Sequence, residues 1–180
     1  MEKLNNKNRY DFLRNFPKGG ICAEIGVFRG DFSVHILGHL KPKKLHLIDV
    51  WRLAGPRWGG IPTDEIYRMV QNKYKSEIEN NIVEMNEVKD QEFLKTLNDN
   101  YFDWVYIDSS HQYEHTKLEL NILKDKVKPA GVIAGHDWRD NPNHKHYGVH
   151  KAVEEFCSES GYEIIFLDNH LQWAIKRKQV

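Results

Sequence analysis

Short apolar segments alternate with longer amphipathic segments along most of the chain. The apolar segments are Ile21–Ile25, 45–50, 81–85, Phe102–Ile107 and 131–134. Each has the length of a strand, and most are apolar on both faces, as a parallel sheet covered by helices requires. Between them, apolar residues recur at helical spacing. We expect helices that start at an N-cap Asp31, that cover 64–78, 90–97 and 116–127, and that run over 149–156 before Gly161.

This alternation predicts an α/β fold with a doubly wound, mostly parallel, Rossmann-like sheet. Near the C-terminus, Tyr162–Leu167 and 171–175 are also strand-like, and only Asp168-Asn169-His170 separates them. Because three residues cannot hold a crossover helix, these two segments are expected to form a hairpin. The sheet would then have seven strands, one of them antiparallel. No linker divides the chain, so residues 1–180 are predicted to be a single domain, with 1–18 as an N-terminal cap segment.

Composition and charge limit the classes of protein to which this chain is expected to belong. The 180 residues are 40% hydrophobic, and Lys+Arg 26 balance Asp+Glu 26. We therefore expect no nucleic-acid partner, since such proteins usually carry a basic surface. No apolar run approaches the ~18 residues of a membrane span, and the N-terminus has no apolar signal core, so a soluble cytoplasmic protein is expected. Cys22 and Cys157 are interpreted as small buried hydrophobes.

The loop after the first strand has the composition of a ligand-binding turn. In open α/β sheets, ligands bind beyond the carboxyl ends of the strands. Glu24-Ile25-Gly26-Val27-Phe28-Arg29-Gly30 forms an E-x-G-x-x-x-G pattern there. It differs from the G-x-G-x-x-G pattern that holds a pyrophosphate, so a ligand without phosphate fits better. Glu24 would face an amino group, and Gly26 and Gly30 allow close approach of the backbone.

Two further strand ends supply candidates for the same ligand. Asp49 ends the second strand, where a carboxylate is suited to accept hydrogen bonds from both hydroxyls of a ribose. Its alternative role is a helix or turn cap. Asn86, Glu87 and Val88 follow the third strand and are predicted to lie on the adenine side of the ligand, although any loop at this place offers similar residues.

The fourth and fifth strands end in residues suited to acid–base or metal chemistry. Asp108 and His111 follow the fourth strand, and His136 and Asp137 follow the fifth. Adjacent strands lie ~4.8 Å apart, so these residues are able to converge. Two carboxylates with a histidine suit Mg²⁺ or Mn²⁺, and the imidazole favours Mn²⁺. Alternatively, Asp108 is only a helix cap and His136 only a hydrogen-bonded strand-end histidine. His144 and His146 lie in a polar loop and are interpreted as solvated, with metal binding as the alternative.

These motifs together resemble one family. The chain is similar to class I S-adenosylmethionine-dependent methyltransferases in five segments. They are Glu24–Gly30, 47–51, the D-x-x-H-x-Y of 106–113, the H-D of 131–138 and Gly148-Val149. The similarity is to the group related to macrolide-sugar O-methyltransferases and cephalosporin-hydroxylase-like proteins, and it covers about residues 20–156. A parallel sheet with one C-terminal antiparallel hairpin is also the arrangement of this class.

The resemblance implies S-adenosylmethionine as cofactor, held by Glu24, Gly26, Val27, Phe28, Gly30, Asp49, Asn86, Glu87 and Asp108. It implies a metal site at Asp108 and Asp137, with His136 in place of the usual first acid of the pair, and His111 as general base beside Asp108. The expected reaction is O-methylation of a small hydroxylated acceptor, such as a sugar or natural product. The alternatives are a nicotinamide-dependent oxidoreductase and a non-catalytic module that binds the cofactor. The sequence leaves the oligomeric state open.

Overall fold

A computed structural model describes residues 3–178. The strands are β1 (Ile21–Ile25), β2 (Lys44–Asp49), β3 (Arg57–Trp58), β4 (Ile61–Pro62), β5 (Val83–Glu87), β6 (Phe102–Ile107), β7 (Val127–Gly135), β8 (Tyr162–Leu167) and β9 (Trp173–Arg177). The helices are α1 (Asp31–Leu40), α2 (Thr63–Lys73), α3 (Lys75–Glu79), α4 (Asp90–Thr96), α5 (Tyr113–Lys126) and α6 (Tyr147–Ser160). Short 3₁₀ turns cover Asp11–Asn15 and Trp51–Ala54.

The main sheet has seven strands in the order β5-β2-β1-β6-β7-β9-β8. The pairs from β5 to β7 are parallel, whereas β9 is antiparallel to both β7 and β8. This confirms the predicted doubly wound α/β sheet and its C-terminal hairpin. The short hairpin β3–β4 is a separate two-stranded sheet, which the sequence did not predict.

Alternate residues of the central strands supply two hydrophobic cores, one on each face of the sheet. On one face, Trp104 and Tyr106 pack with α1, α2 and the N-terminal 3₁₀ turn. On the other face, Val105 and Ile107 pack with α4, α5 and α6. Within residues 3–178, no helix is long and apolar enough to cross a membrane. Both cysteines are free thiols, with Cys22 buried and Cys157 half-buried.

Several predicted boundaries are wrong by a few residues, and the backbone gives the reason. The helix expected over 64–78 is broken at Tyr74 (φ −109°, ψ 20°) into α2 and α3. Asn81 (φ 60°) and Leu171 (φ 65°) adopt turn conformations, so β5 and β9 begin two residues later than expected. Asp31 is the first residue of α1, and the N-cap is Gly30.

The fifth parallel strand is longer than predicted. Val127, expected at the end of a helix, instead begins β7 and pairs with Phe102. A bulge follows, because the next pair joins Trp104 to Val132. The extra residues of β7 are accommodated there, so the apolar segment 131–134 forms only the buried end of the strand.

Candidate active site

A cavity of about 500 Å³ opens at the carboxyl ends of β1, β2 and β6. Gly26 and Asp49 line it from the first two strands, and Asp108 lines it from the fourth parallel strand of the chain, β6. Trp58, from the β3–β4 hairpin, borders it as well. The cavity therefore lies where open α/β sheets bind their ligands. We call it the cofactor cavity.

Gly26 explains why the first loop carries glycine. Its φ is +84°, and a Cβ atom at this position would collide with the carbonyl oxygen of Asp108. The loop is fixed on its other side by the amide of Gly26, which donates to the carbonyl of Ile48 at 2.9 Å. A side chain would therefore separate β1 from β6 at the wall of the cofactor cavity.

The carboxylate of Asp49 holds the first loop in place. Its Oδ2 accepts hydrogen bonds from the amides of Val27 at 2.7 Å and Phe28 at 2.8 Å, and its Oδ1 accepts one from Trp51 at 3.0 Å. Four lone pairs face three donors, so at most one remains for a ligand. Asp49 lines the cofactor cavity, but most of the hydrogen-bonding capacity of its carboxylate is used within the protein.

Glu24 lies beneath the loop, outside the cavity lining. The side chain is 2% exposed, and Ser33 of α1 donates to its Oε2 at 2.5 Å. Burial raises the pKa of Glu24 to about 8, although the hydrogen bond from Ser33 acts in the opposite direction. Glu24 therefore joins β1 to α1.

The backbone of the first loop is also held by contacts within the protein. The amides of Val27 and Phe28 donate to Asp49, and the hydroxyl of Tyr74 donates to the carbonyl of Gly30.

Two of the three residues predicted on the adenine side, Asn86 and Glu87, do not line the cavity. Glu87 pairs with Arg52, whose Nε lies 2.9 Å from its Oε1, and this hydrogen bond lowers the pKa of Glu87. The side-chain amide of Asn86 donates a hydrogen bond to the carbonyl of Glu84. Val88, the third, does line the cavity, and the residues after it, from Lys89 to Gln91, continue this part of the wall. The sequence shows them directly after the strand, but the expected strand ended two residues too early.

A buried polar cluster extends this wall. Nε2 of His115 lies 2.8 Å from Oδ2 of Asp90 and 3.6 Å from Oε1 of Glu119. Asp90 and His115 line the cofactor cavity. Glu119 is fully buried, and neither of its oxygens has a hydrogen-bond partner in the described chain. Burial, followed by the neighbouring Asp90, raises the pKa of Glu119 well above its ordinary value.

Five residues meet at the next part of the rim, where β6 and β7 end: Asp108, His111, His136, Asp137 and His146. We call them the rim cluster. Nε2 of His111 lies 3.0 Å from Oδ1 of Asp108 and 2.9 Å from Oδ2 of Asp137. Burial lowers the pKa of His111, but the two carboxylates outweigh it and raise this pKa to about 9. The imidazolium therefore bridges two acids at neutral pH.

The other histidines of the rim cluster surround Asp137. Nδ1 of His136 lies 3.2 Å from its Oδ2, and Nδ1 of His146 lies 3.0 Å from its Oδ1. Burial raises the pKa of Asp137, but hydrogen bonds from the histidines outweigh burial and lower it strongly. His146, expected in a solvated loop, stacks on His111 with ring centroids 4.4 Å apart. From the sequence, His146 was assigned to solvent in preference to metal binding, and its polar loop gives no indication of the stacking on His111.

The rim cluster has the geometry of a cation site. One ligand atom each from Asp108, His136 and Asp137 lie within 4.8 Å of one another, and His111, Asp137 and His146 form a second such group. Carboxylate oxygens with imidazole nitrogens suit Mn²⁺ or a later divalent metal. The predicted ligands are thus brought together. His111 and Asp137 both have φ of 60°, an unfavourable conformation for side-chain-bearing residues that clusters at functional sites.

Two arginines, absent from the sequence-based prediction, complete this end of the site. Nη2 of Arg9 donates to the hydroxyl of Tyr106 at 3.0 Å and to Oδ2 of Asp108 at 3.3 Å. Nε of Arg139 lies 3.6 Å from Oδ1 of Asp137. The N-terminal segment carries Arg9 to the site. Asn6 anchors this segment by donating to Asp168 in the β8–β9 turn.

The strand order, the antiparallel β9 and a ligand cavity without a dinucleotide fingerprint define a Rossmann-like methyltransferase fold. A family model described as "Methyltransferase domain" matches residues 23–138, and the chain belongs to this family. S-adenosylmethionine is the cofactor of the family. No curated protein sequence shows a significant match to the chain.

Solved structures share the fold at low sequence identity. A protein from Corynebacterium glutamicum has a TM-score of 0.69 and 14% identity, with 98% of this chain and 83% of that chain covered. A protein from Staphylococcus aureus, described as a caffeoyl-CoA O-methyltransferase, has a TM-score of 0.66 and 17% identity. The match covers 96% of this chain and 83% of that chain. A protein from Streptococcus mutans, described as a methyltransferase and solved with SAH (S-adenosylhomocysteine), has a TM-score of 0.62 and 16% identity. The match covers 97% of each chain.

Proposed function

We propose that the protein transfers the methyl group of S-adenosylmethionine to a hydroxyl oxygen of a small acceptor, such as a sugar or natural product. The proposal includes membership of the group related to macrolide-sugar O-methyltransferases and cephalosporin-hydroxylase-like proteins. The observation that carries the proposal is the position of the rim cluster beside the cofactor cavity. Asp108 belongs to both, because it lines the cavity and lies 3.0 Å from His111.

The cofactor is proposed to lie across the ends of β1 and β2. Gly26 lets the backbone approach the ligand, and the free lone pair of Asp49 accepts one ribose hydroxyl. Asp90 lies on the wall that follows β5 and is the carboxylate available to the amino group of the adenine ring. This arrangement directs the sulfonium end of the cofactor toward Asp108 and the rim cluster.

The transfer itself needs alignment and removal of one proton. The acceptor oxygen attacks the methyl carbon, the carbon–sulfur bond breaks, and sulfur leaves with the electron pair as S-adenosylhomocysteine. Holding the two reactants in line supplies much of the rate, since the methyl group is already activated. His111 is the proposed acceptor of the hydroxyl proton. Any ligand that engages the oxygens of Asp108 and Asp137 removes the partners that keep His111 protonated, and its pKa then falls toward 6.5.

Metal assistance is part of this proposal. Asp108, His136 and Asp137 would hold a divalent cation, with Mn²⁺ preferred because of the imidazole. Such an ion lowers the pKa of a bound hydroxyl and orients it. The chain itself contributes a fixed arrangement of ligands, because Trp173 donates from Nε1 to the carbonyl of His136 at 2.8 Å and so restrains the end of β7.

The sequence is also compatible with two other functions. A nicotinamide-dependent oxidoreductase is disfavoured by the family match and by the antiparallel β9. A non-catalytic module that binds the cofactor has no need for a histidine held between two acids. Measurement of methyl transfer distinguishes such a module from an enzyme.

The test has two steps. Calorimetry should detect binding of S-adenosylhomocysteine and no binding of NAD. Incubation with methyl-labelled S-adenosylmethionine and a library of hydroxylated compounds, followed by mass spectrometry, should then find labelled products. The matched variants His111→Ala and Asp137→Asn should lose product formation, whereas Asp64→Asn, on the exposed face of α2, should retain it. Cofactor binding without any transfer would support the non-catalytic module instead.

A further inference from the structure

The carboxylate of Asp90 is held at both of its oxygens in the wall of the cofactor cavity. Its Oδ1 accepts a hydrogen bond from the amide of Gln91 at 2.7 Å, and its Oδ2 lies 2.8 Å from Nε2 of His115. The side chain is only 9% exposed. Each carboxylate oxygen accepts two hydrogen bonds, so one lone pair on each remains for a ligand. Two contacts on different oxygens fix the plane of the carboxylate and therefore the direction of those lone pairs.

His115 is the contact that comes from a separate element. Gln91 is the next residue of α4, whereas His115 belongs to α5 and lines the same cavity. Glu119 lies one turn further along the same face of α5, fully buried, with its Oε1 3.6 Å from the same nitrogen of His115. Two carboxyl groups beside Nε2 favour the form of the imidazole that carries hydrogen on this nitrogen. Glu119 therefore favours donation from His115 to Asp90.

Asp90 is an acceptor without a proton of its own. Burial raises the pKa of Asp90, but hydrogen bonds, with that from His115 foremost, outweigh burial and lower it. An ionised carboxylate accepts hydrogen bonds and donates none. A site of this kind matches an amino group on a ring. It rejects a ring with an oxygen at the same place, because two acceptors then face each other unpaired.

We propose that His115 is a positioning residue that makes the cofactor cavity selective for an adenine ring over a hypoxanthine ring. It acts through Asp90, which it holds with the free lone pairs toward the cavity, and it is itself oriented by Glu119. This inference rests on the proposed function, in which Asp90 accepts the amino group of adenine. It adds the residues that determine the selectivity of that part of the site.

The simpler alternative is that His115 only joins α4 to α5. The two explanations differ in which ligand is affected when the imidazole is removed. A positioning residue is needed only for the ligand that carries the amino group. A residue that merely stabilises the wall of the cavity affects both ligands equally.

The experiment measures the affinities for S-adenosylhomocysteine and S-inosylhomocysteine by calorimetry. EDTA is present throughout, because one ligand atom each from Asp90, His115 and Glu119 lie within 4.8 Å of one another, close enough to bind a divalent cation. We expect the wild type to bind the adenine compound at least tenfold more tightly. His115→Ala should remove most of this preference by weakening S-adenosylhomocysteine, while the affinity for S-inosylhomocysteine stays the same or rises. His39→Ala, on α1 at the opposite face of the sheet, is the matched control and should keep the full preference.

Two conservative variants separate positioning from folding. The side-chain amide of glutamine reaches about as far as Nε2 of histidine, whereas that of asparagine is shorter by one methylene group. His115→Gln should therefore keep most of the preference, and His115→Asn should lose it. Thermal melts show whether the two variants are equally stable. If they are, a difference in preference cannot come from weaker packing between α4 and α5.

The outcomes separate this inference from the proposed function. A preference that His115→Ala and His115→Asn remove and His115→Gln keeps supports the positioning role. A preference that His115→Ala or His115→Asn leaves unchanged overturns it, as does an equal loss of affinity for both compounds. Equal binding of both compounds to the wild type overturns it as well, although binding of S-adenosylhomocysteine would still support the proposed function. Failure of the wild type to bind either compound would overturn both.

Discussion

The imidazole of His111 lies 2.9 Å from the carboxylate of Asp137, although the two residues follow different strands. Asp108 contacts the same nitrogen at 3.0 Å. A histidine between two acids holds its proton more tightly than an isolated one. The residue best placed to accept a proton is therefore protonated until something else engages the two carboxylates.

The first prediction follows from this coupling. For metal-free protein, the raised folded-state pKa means that His111 stabilises the fold fully below pH ~6.5, and that this contribution is lost as the pH rises through about 9. His111→Gln should thus lower the melting temperature at pH 6, and the difference should shrink above pH 9. Thermal melts of both proteins across this range provide the measurement. A difference that does not vary with pH would argue against the double ion pair.

His111 should also determine the rate. His111→Ala is expected to slow methyl transfer by ~10²–10⁴ while leaving the affinity for S-adenosylhomocysteine nearly unchanged, because the imidazole lies outside the cofactor cavity. Single-turnover rates and calorimetry give the two quantities. Lys145→Ala, at an exposed position of the neighbouring loop, is the control. A folded His111→Ala enzyme with normal turnover would exclude a role as base.

The metal proposal makes a separate prediction. Chelation by EDTA should abolish turnover, and Mn²⁺ should restore it better than Mg²⁺. Binding of Mn²⁺, followed by electron paramagnetic resonance, should weaken strongly in Asp137→Asn and remain unchanged in Asp64→Asn. Full turnover in thoroughly chelated protein would show that the rim cluster acts without a cation.

Asp49 should affect cofactor affinity and stability together. Asp49→Ala removes the acceptor of three backbone amides as well as the oxygen that faces the cavity. Charge-assisted hydrogen bonds contribute about 1.5–3 kcal/mol each, so we expect S-adenosylhomocysteine to bind at least tenfold more weakly. The melting temperature should fall as well, because the first loop loses its anchor. An unchanged dissociation constant in the folded variant would place the ribose elsewhere.

Asp90 should determine the preference for the adenine ring over a ring that has an oxygen in place of the amino group. If its carboxylate accepts the adenine amino group, the wild type should bind S-adenosylhomocysteine more tightly than S-inosylhomocysteine, which has an oxygen at that position. Asp90→Asn should reduce or reverse this preference. Asp99→Asn, at an exposed ion pair with Lys126, should leave it intact. Equal discrimination by Asp90→Asn and the wild type would contradict the assignment.

The alternating apolar segments alone determined the α/β class, the parallel sheet and the terminal hairpin. Periodicity and loop length are local properties, and they limit which strands can pair. The same reasoning placed Asp108, His111, His136 and Asp137 at one edge, because parallel strands end together. The element boundaries were less accurate, since turn conformations such as that of Asn81 depend on how neighbouring elements pack.

Only the tertiary structure decided which side chains complete the site. Arg9 reaches Asp108 because the N-terminal segment is anchored to the distant β8–β9 turn, and His146 reaches Asp137 because the loop before α6 folds back over the rim. Glu87, close to the expected cofactor, is instead held by Arg52. Such contacts join residues far apart in the chain. Their partners are selected by packing and charge in three dimensions, which no local sequence pattern records.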